Sequence, residues 1–143
     1  MSTPDHPARL RALLAAVDAG DLEGALAFYH PDYHDHDASE SRQGRNHKAA
    51  LRDGFARFYA CFRDTRHSLD DVIAQGDKVA ARVSVEARHT AELFGIPPSG
   101  ELIRNDSIII YRFEDGLIRE RWCRERHTTR EVLERRARPM PHA

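Results

Sequence analysis

Apolar residues along the first half of the chain recur at helical spacing. Leu10, Leu13, Leu14 and Val17 fall on one face of a segment that follows Pro7, and Gly20 ends it. Asp21 is placed to cap a second, short helix carrying Leu22, Leu26 and Phe28, with Pro31 beyond its end. Tyr33 to Asp37 reads as a short extended piece and residues 39–44 as a polar loop. Asn46 is the expected N-cap of a longer helix that runs to about Phe62. Its Leu51, Phe55, Phe58, Tyr59 and Phe62 form one apolar and aromatic stripe.

From Thr65 onward the period changes from 3.6 to 2. The alternation predicts strands over 67–75, 78–93, 102–114 and 117–127. Gly76-Asp77 and Asp115-Gly116 supply tight turns, the second a strong hairpin signal. Residues 95–100 contain two prolines and read as a rigid excursion between strands. A last helix over 128–136 precedes a tail expected to fray. Helices first and then an antiparallel meander predict an α+β fold, with helices packed on one face of a curved sheet around a pocket.

At 143 residues the chain is expected to form a single domain with its core over about 8–136. The net charge of −1 gives no support to binding nucleic acid or an anionic membrane. No apolar run approaches the length of a spanning helix, and the expected setting is the cytoplasm. Cys61 and Cys123 match no metal-finger spacing and are expected as free thiols.

Strand alternation sorts the ionisable groups by face. Val79, Ala81, Val83, Val85, Ala87 and His89 share one face, so His89 closes an otherwise apolar row. On the last strand Ile118, Glu120, Trp122, Arg124 and Arg126 share a face, opposite Leu117, Arg119, Arg121, Cys123 and Glu125. Trp122 suggests that its own face is the enclosed one, which would aim Glu120 and Arg126 into the pocket. His34 and His36 lie two apart and point the same way. They offer two metal ligands, but no third is evident from spacing, and no metal is expected.

The order of these pieces resembles the SnoaL-like polyketide cyclase family, of the nuclear transport factor 2-like fold. The matching pieces are His36-Asp37, Gly44, Gly76-Asp77-Lys78-Val79, His89-Thr90, the 95–100 loop, Tyr111-Arg112, Asp115-Gly116-Leu117-Ile118 and Glu120-Arg121-Trp122. The resemblance implies a flat, mostly apolar ligand in a cone formed by sheet and helices, and aldol-type ring closure without metal or organic cofactor. The acid/base aspartate of characterised members follows the tryptophan by four residues, where this chain has Arg126. Glu125 is adjacent, and on a regular strand it faces the other way unless a β-bulge turns it.

Three readings follow. The first is a cofactor-independent enzyme acting on a polycyclic or polyketide-like carbonyl compound. There His89 is general acid/base, Arg126 the oxyanion or carboxylate partner, and His36 and Glu120 assist. Tyr33, His34, Phe55, Phe58, Tyr59, Phe62, Phe94 and Trp122 are its expected ligand contacts. The second is a non-catalytic binding or accessory protein on the same scaffold. The third is an assembly module, suggested by the charged outer face of the sheet. A homodimer through the sheet is expected.

Overall fold

A computed structural model describes residues 4–37 and 47–137. The expected 39–44 loop, the Asn46 cap, Gly44 and the terminal tail lie outside the described residues. Helix α1 (His6–Asp18) starts where the Asp5 side chain accepts the Ala8 N–H, and it buries Leu10, Leu13 and Val17. Helix α2 (Leu22–Leu26) is capped in the same way by Asp21, which accepts from Gly24. Strand β1 (Tyr29–Asp35) leads toward helix α3 (Lys48–Cys61), and strands β2 (Phe62–Gln75), β3 (Lys78–His89), β4 (Leu102–Glu114) and β5 (Leu117–Glu125) follow. Helix α4 (Thr129–Ala137) comes last.

The sheet is open, with strand order β1-β5-β4-β3-β2. The last four strands form the expected meander, and β1 joins its far edge parallel to β5, so the sheet is mixed. The β4–β5 hairpin closes on Asp115 and Gly116, both with positive φ, which matches the twist of the flanking strands.

Bulges decide which side chains face the helices. Across β4 and β5, Glu114 lies opposite Leu117 and Phe113 opposite Ile118, but Arg112 lies opposite Glu120. Arg119 is therefore an extra residue. Ile118 faces the core on one side of this bulge, and Arg121 and Cys123 face it on the other. Strand β2 carries two further irregularities, between Arg63 and Arg66 and between Leu69 and Asp71. They put Phe62, then His67 and Leu69, then Val72 opposite the inward residues His89, Val85, Val83 and Ala81 of β3.

The main core gathers Leu10, Leu13 and Val17 of α1, Leu51 of α3 and the inward row Val79, Ala81, Val83, Ile109, Tyr111, Phe113 and Ile118. A second, smaller cluster joins Cys61, Phe62, Ala87 and Leu133 beneath the 90–101 connection. Fully burying one such leucine or isoleucine stabilises the fold by roughly 1.5–3 kcal/mol. Both cysteines are buried free thiols, as their spacing suggests. Among the described residues no helix is long and apolar enough to cross a membrane.

Candidate functional site

Between the helices and the concave face of the sheet lies a cavity of about 280 Å³. Its floor is apolar: Leu13, Leu14 and Val17 of α1, and Leu51, Phe55 and Phe58 of α3. Val83, Val85, Ile109 and Tyr111 form the sheet wall, and the ionisable side chains on the lining are Tyr29, His67, Tyr111, Arg121 and Glu125. An apolar cavity with a few convergent polar groups is the usual form of a small-molecule site.

Arg121 is the fixed charge of this cavity. Its Nη1 lies 3.2 Å from Oδ2 of Asp35, a carboxylate only 1 % exposed on β1. The other Asp35 oxygen accepts the Asp37 N–H at 3.0 Å. Burial opposes the guanidinium charge, but Tyr111, Cys123, Tyr33 and Asp35 around it together hold its pKa well above the ordinary value. Burial raises the pKa of the enclosed Tyr111 above that of a free phenol, although Arg121 hydrogen-bonds it and pulls downward. At neutral pH the pair is therefore a guanidinium beside a neutral phenol. Both are donors, so the arrangement favours an oxygen carrying partial or full negative charge.

His67 occupies another part of the wall. Its Nδ1 lies 2.5 Å from Oδ1 of Asp18, the last residue of α1, and its backbone N–H donates to Oδ2 of the same carboxylate at 2.8 Å. Sequence reading missed this residue. Phased from Val72, strict alternation would point Ser68 and Asp70 inward and His67 outward, and the bulge at Asp70 reverses that phase.

The face expected to be enclosed is the outer one. The Arg119 bulge turns Glu120 and Trp122 away from the helices. Glu120 there pairs with Arg112 and, at 3.1 Å, with Nε2 of His36. The Arg112 hydrogen bond holds the Glu120 carboxyl below its ordinary 4.5, against burial and with help from His36. The His36 ring stacks on Trp122 at 4.5 Å, His34 meets His36 edge-on at 4.5 Å, and Lys78 Nζ lies 5.8 Å over Trp122. Arg126 is 71 % exposed and reaches Asp106 at 3.6 Å. Of the residues expected at the pocket, His34, His36, Glu120, Trp122 and Arg126 are outside the lining of this cavity. Glu125 lines it, because it shares the phase of Arg121.

The remaining candidates divide. Phe55 and Phe58 line the cavity. The Tyr59 hydroxyl donates to the Val17 carbonyl at 3.1 Å, and Tyr33 packs edge-on against Tyr29 at 4.8 Å, close enough to Arg121 to influence its charge. Phe62 and Phe94 belong to the second cluster, where the Arg130 guanidinium lies 4.6 Å over Phe94. His89 faces inward as alternation predicts, yet it is outside the cavity lining, 1 % exposed and against Phe62 at 5.5 Å. Its Nε2 has no hydrogen-bond partner among the described residues.

One group at metal-ligand spacing appears among the described residues: His30, Glu114 and Asp115 lie within 4.8 Å of one another. Nδ1 of His30 accepts the Asp32 N–H at 3.0 Å, so a neutral ring carries its proton on Nε2, which faces Glu114 at 3.2 Å. Arg112 and Arg119 also approach Glu114, at 3.6 and 3.7 Å. The cluster is a hydrogen-bonded clasp that closes the hairpin onto β1, with the ring nitrogens already committed.

Helices on the concave face of an open, bulged mixed sheet, with a mostly apolar cavity between, define a nuclear transport factor 2-like α+β protein. The sequence matches the SnoaL-like polyketide cyclase description over residues 8–125, and the chain belongs to that family. Among solved structures it is similar to TsrD from Streptomyces laurentii, with 25% identity over 94% of this chain and 96% of that one and a TM-score of 0.77. AclR from Streptomyces galilaeus, a candidate hydroxylase, shares 23% identity over 97% and 89% of the two chains, also at TM-score 0.77. IdmH from Streptomyces antibioticus, a candidate polyketide cyclase, shares 22% identity over 92% and 96%, again at TM-score 0.77. Comparison with curated protein sequences yields no match.

Proposed function

We propose that the protein is a cofactor-independent enzyme that carries out proton-transfer chemistry, such as aldol-type cyclisation or isomerisation, on a small polycyclic or polyketide-like carbonyl compound. The observation that carries this reading is Arg121, paired with Asp35 beside the neutral Tyr111 in a mostly apolar cavity. The apolar walls suit fused rings. Arg121 and Tyr111 suit a carbonyl, enolate or carboxylate oxygen at one end of them. Donors fixed before the ligand arrives stabilise developing oxygen charge without reorganising, which is the largest single contribution in many enzymes. Membership of a family of polyketide cyclases supports the same class of substrate.

The reading extends to a homodimer formed through the outer face of the sheet. There Ile108 and Ile110 are 59 % and 40 % exposed, and Ile110 lies opposite Trp122.

The test is a thermal-shift screen of aromatic polyketides and other fused-ring carbonyl compounds, each hit being followed by mass spectrometry. A stabilising compound that is converted to a product, isomeric or dehydrated, supports the enzyme. Stabilisation by several compounds with no conversion would replace it with a binding protein.

A further inference from the structure

We infer that His67, oriented by Asp18, is the proton-transfer residue of the cavity. The inference deepens the proposed function and rests on it. Asp18 Oδ1 at 2.5 Å requires a proton on Nδ1, so the neutral ring presents a lone pair at Nε2. Nε2 makes no hydrogen bond with another described residue, and the ring belongs to the cavity lining. A carboxylate on one ring nitrogen with the other left as a base is the arrangement general-base catalysis needs.

His67 lies opposite Val85, whereas Arg121 lies opposite Tyr111, which lies opposite Val79. Base and guanidinium thus stand on β2 and β5, three strands apart and six residues apart along the sheet, roughly 25 Å between backbones at ordinary strand geometry before curvature and side-chain reach narrow the gap. Arg121 therefore anchors one oxygenated end of an elongated, flat ligand, and the reacting carbon lies toward the other end. Nearer to it, Ser107 and Glu125, which are register partners, line the cavity and supply a hydroxyl donor and a second carboxylate.

In the step, Nε2 takes the proton from a carbon alpha to a carbonyl. The C–H pair becomes the new carbon–carbon double bond, and the carbonyl pair moves onto oxygen. The enolate carbon then either regains a proton from the imidazolium or attacks a second carbonyl of the same molecule, whose alkoxide takes that proton. His67 returns neutral in both cases, so the cycle balances without an oxidant or reductant.

The probe is 6-carboxy-2-tetralone, a flat ketone whose carboxylate lies opposite its acidic C1 protons. Its C1 exchange in D2O is followed by proton NMR and its affinity by titration. Wild type should accelerate exchange. His67→Asn keeps a donor to Asp18 but removes Nε2, and should lose exchange about 100-fold or more with affinity within about threefold. His67→Gln, which places its amide where Nε2 stood, should do the same if the Asn variant melts early. Asp18→Asn should lower exchange while affinity stays within about threefold, since Asp18 orients the ring and does not touch the ligand. The other ionisable groups around the cavity are Asp18, Tyr59, Tyr29, Tyr111, Arg121 and Glu125. Glu125→Gln separates a contribution of the Glu125 carboxylate to exchange from that of His67.

Exchange at the wild-type rate in both His67 variants would overturn the inference while leaving the pocket reading intact. So would tight binding by wild type with no exchange. Failure of wild type to bind the probe, or unchanged affinity in Arg121→Met, would overturn the anchored-ligand reading and this inference with it.

Discussion

Arg121 keeps its charge inside an apolar cavity because Asp35 comes with it. A guanidinium beside that cavity costs several kcal/mol to desolvate unless a buried acceptor compensates, and Asp35 on β1 supplies one. Asp35→Ala is therefore expected to destabilise the fold by about 3–5 kcal/mol in urea titration, the cost of leaving a buried charge unpaired. A loss below about 1 kcal/mol would remove Asp35 from this role. On the outer face, Glu120 offers a test by pH. Its carboxyl is depressed chiefly by Arg112, so its contribution is present above the unfolded value near 4.5 and is lost as pH falls through the folded one. Glu120→Gln should flatten the fall in melting temperature between about pH 5 and pH 3. A wild-type slope in the variant would contradict the pairing. At this scale the sequence was half legible. It exposed the apolar row that ends in His89 and the aromatic stripe of α3. It did not show that Asp35, separated from Arg121 by most of the chain, would meet it, because that contact depends on β1 crossing back to lie parallel to β5.

At the scale of the element, bulges control the site. Alternation located β3 and β4 to within a few residues and placed the inward row of β3 correctly, because that strand pairs with β4 without interruption. The same rule assigned β5 the wrong face, since Ile118 and Trp122 were put in one phase and Arg119 separates them. Nothing in Leu117-Ile118-Arg119-Glu120-Arg121-Trp122 marks the bulge locally, and both faces offer apolar and charged side chains. The irregularities in β2 hid His67 in the same way. Deleting Arg119 should force either Ile118 or Arg121 and Cys123 out of the core, lowering the melting temperature by roughly 10 °C or more. A variant that melts like wild type would show that the bulge does not set the register.

For the whole molecule, the sequence pattern reached the α+β layering because local periods and turn residues agree with the global fold. Which side of the sheet is covered was decided by packing between distant elements. The outer face now collects Trp122, Ile110, the stacked His36 and the Glu120–Arg112 pair. Covering that face with a second copy predicts a dimer by light scattering at micromolar concentration, and Ile110→Asp should dissociate it. A monomeric wild type would remove this assembly.

The most direct test of the account compares two arginines five residues apart in one titration series, using a fused-ring carbonyl ligand taken from the screen. Arg121→Met should weaken binding by about tenfold or more, in line with loss of a charge-assisted contact. Arg126→Met should bind as wild type does. Loss of affinity in Arg126→Met with none in Arg121→Met would contradict the account, because it would place the ligand on the outer face of the sheet.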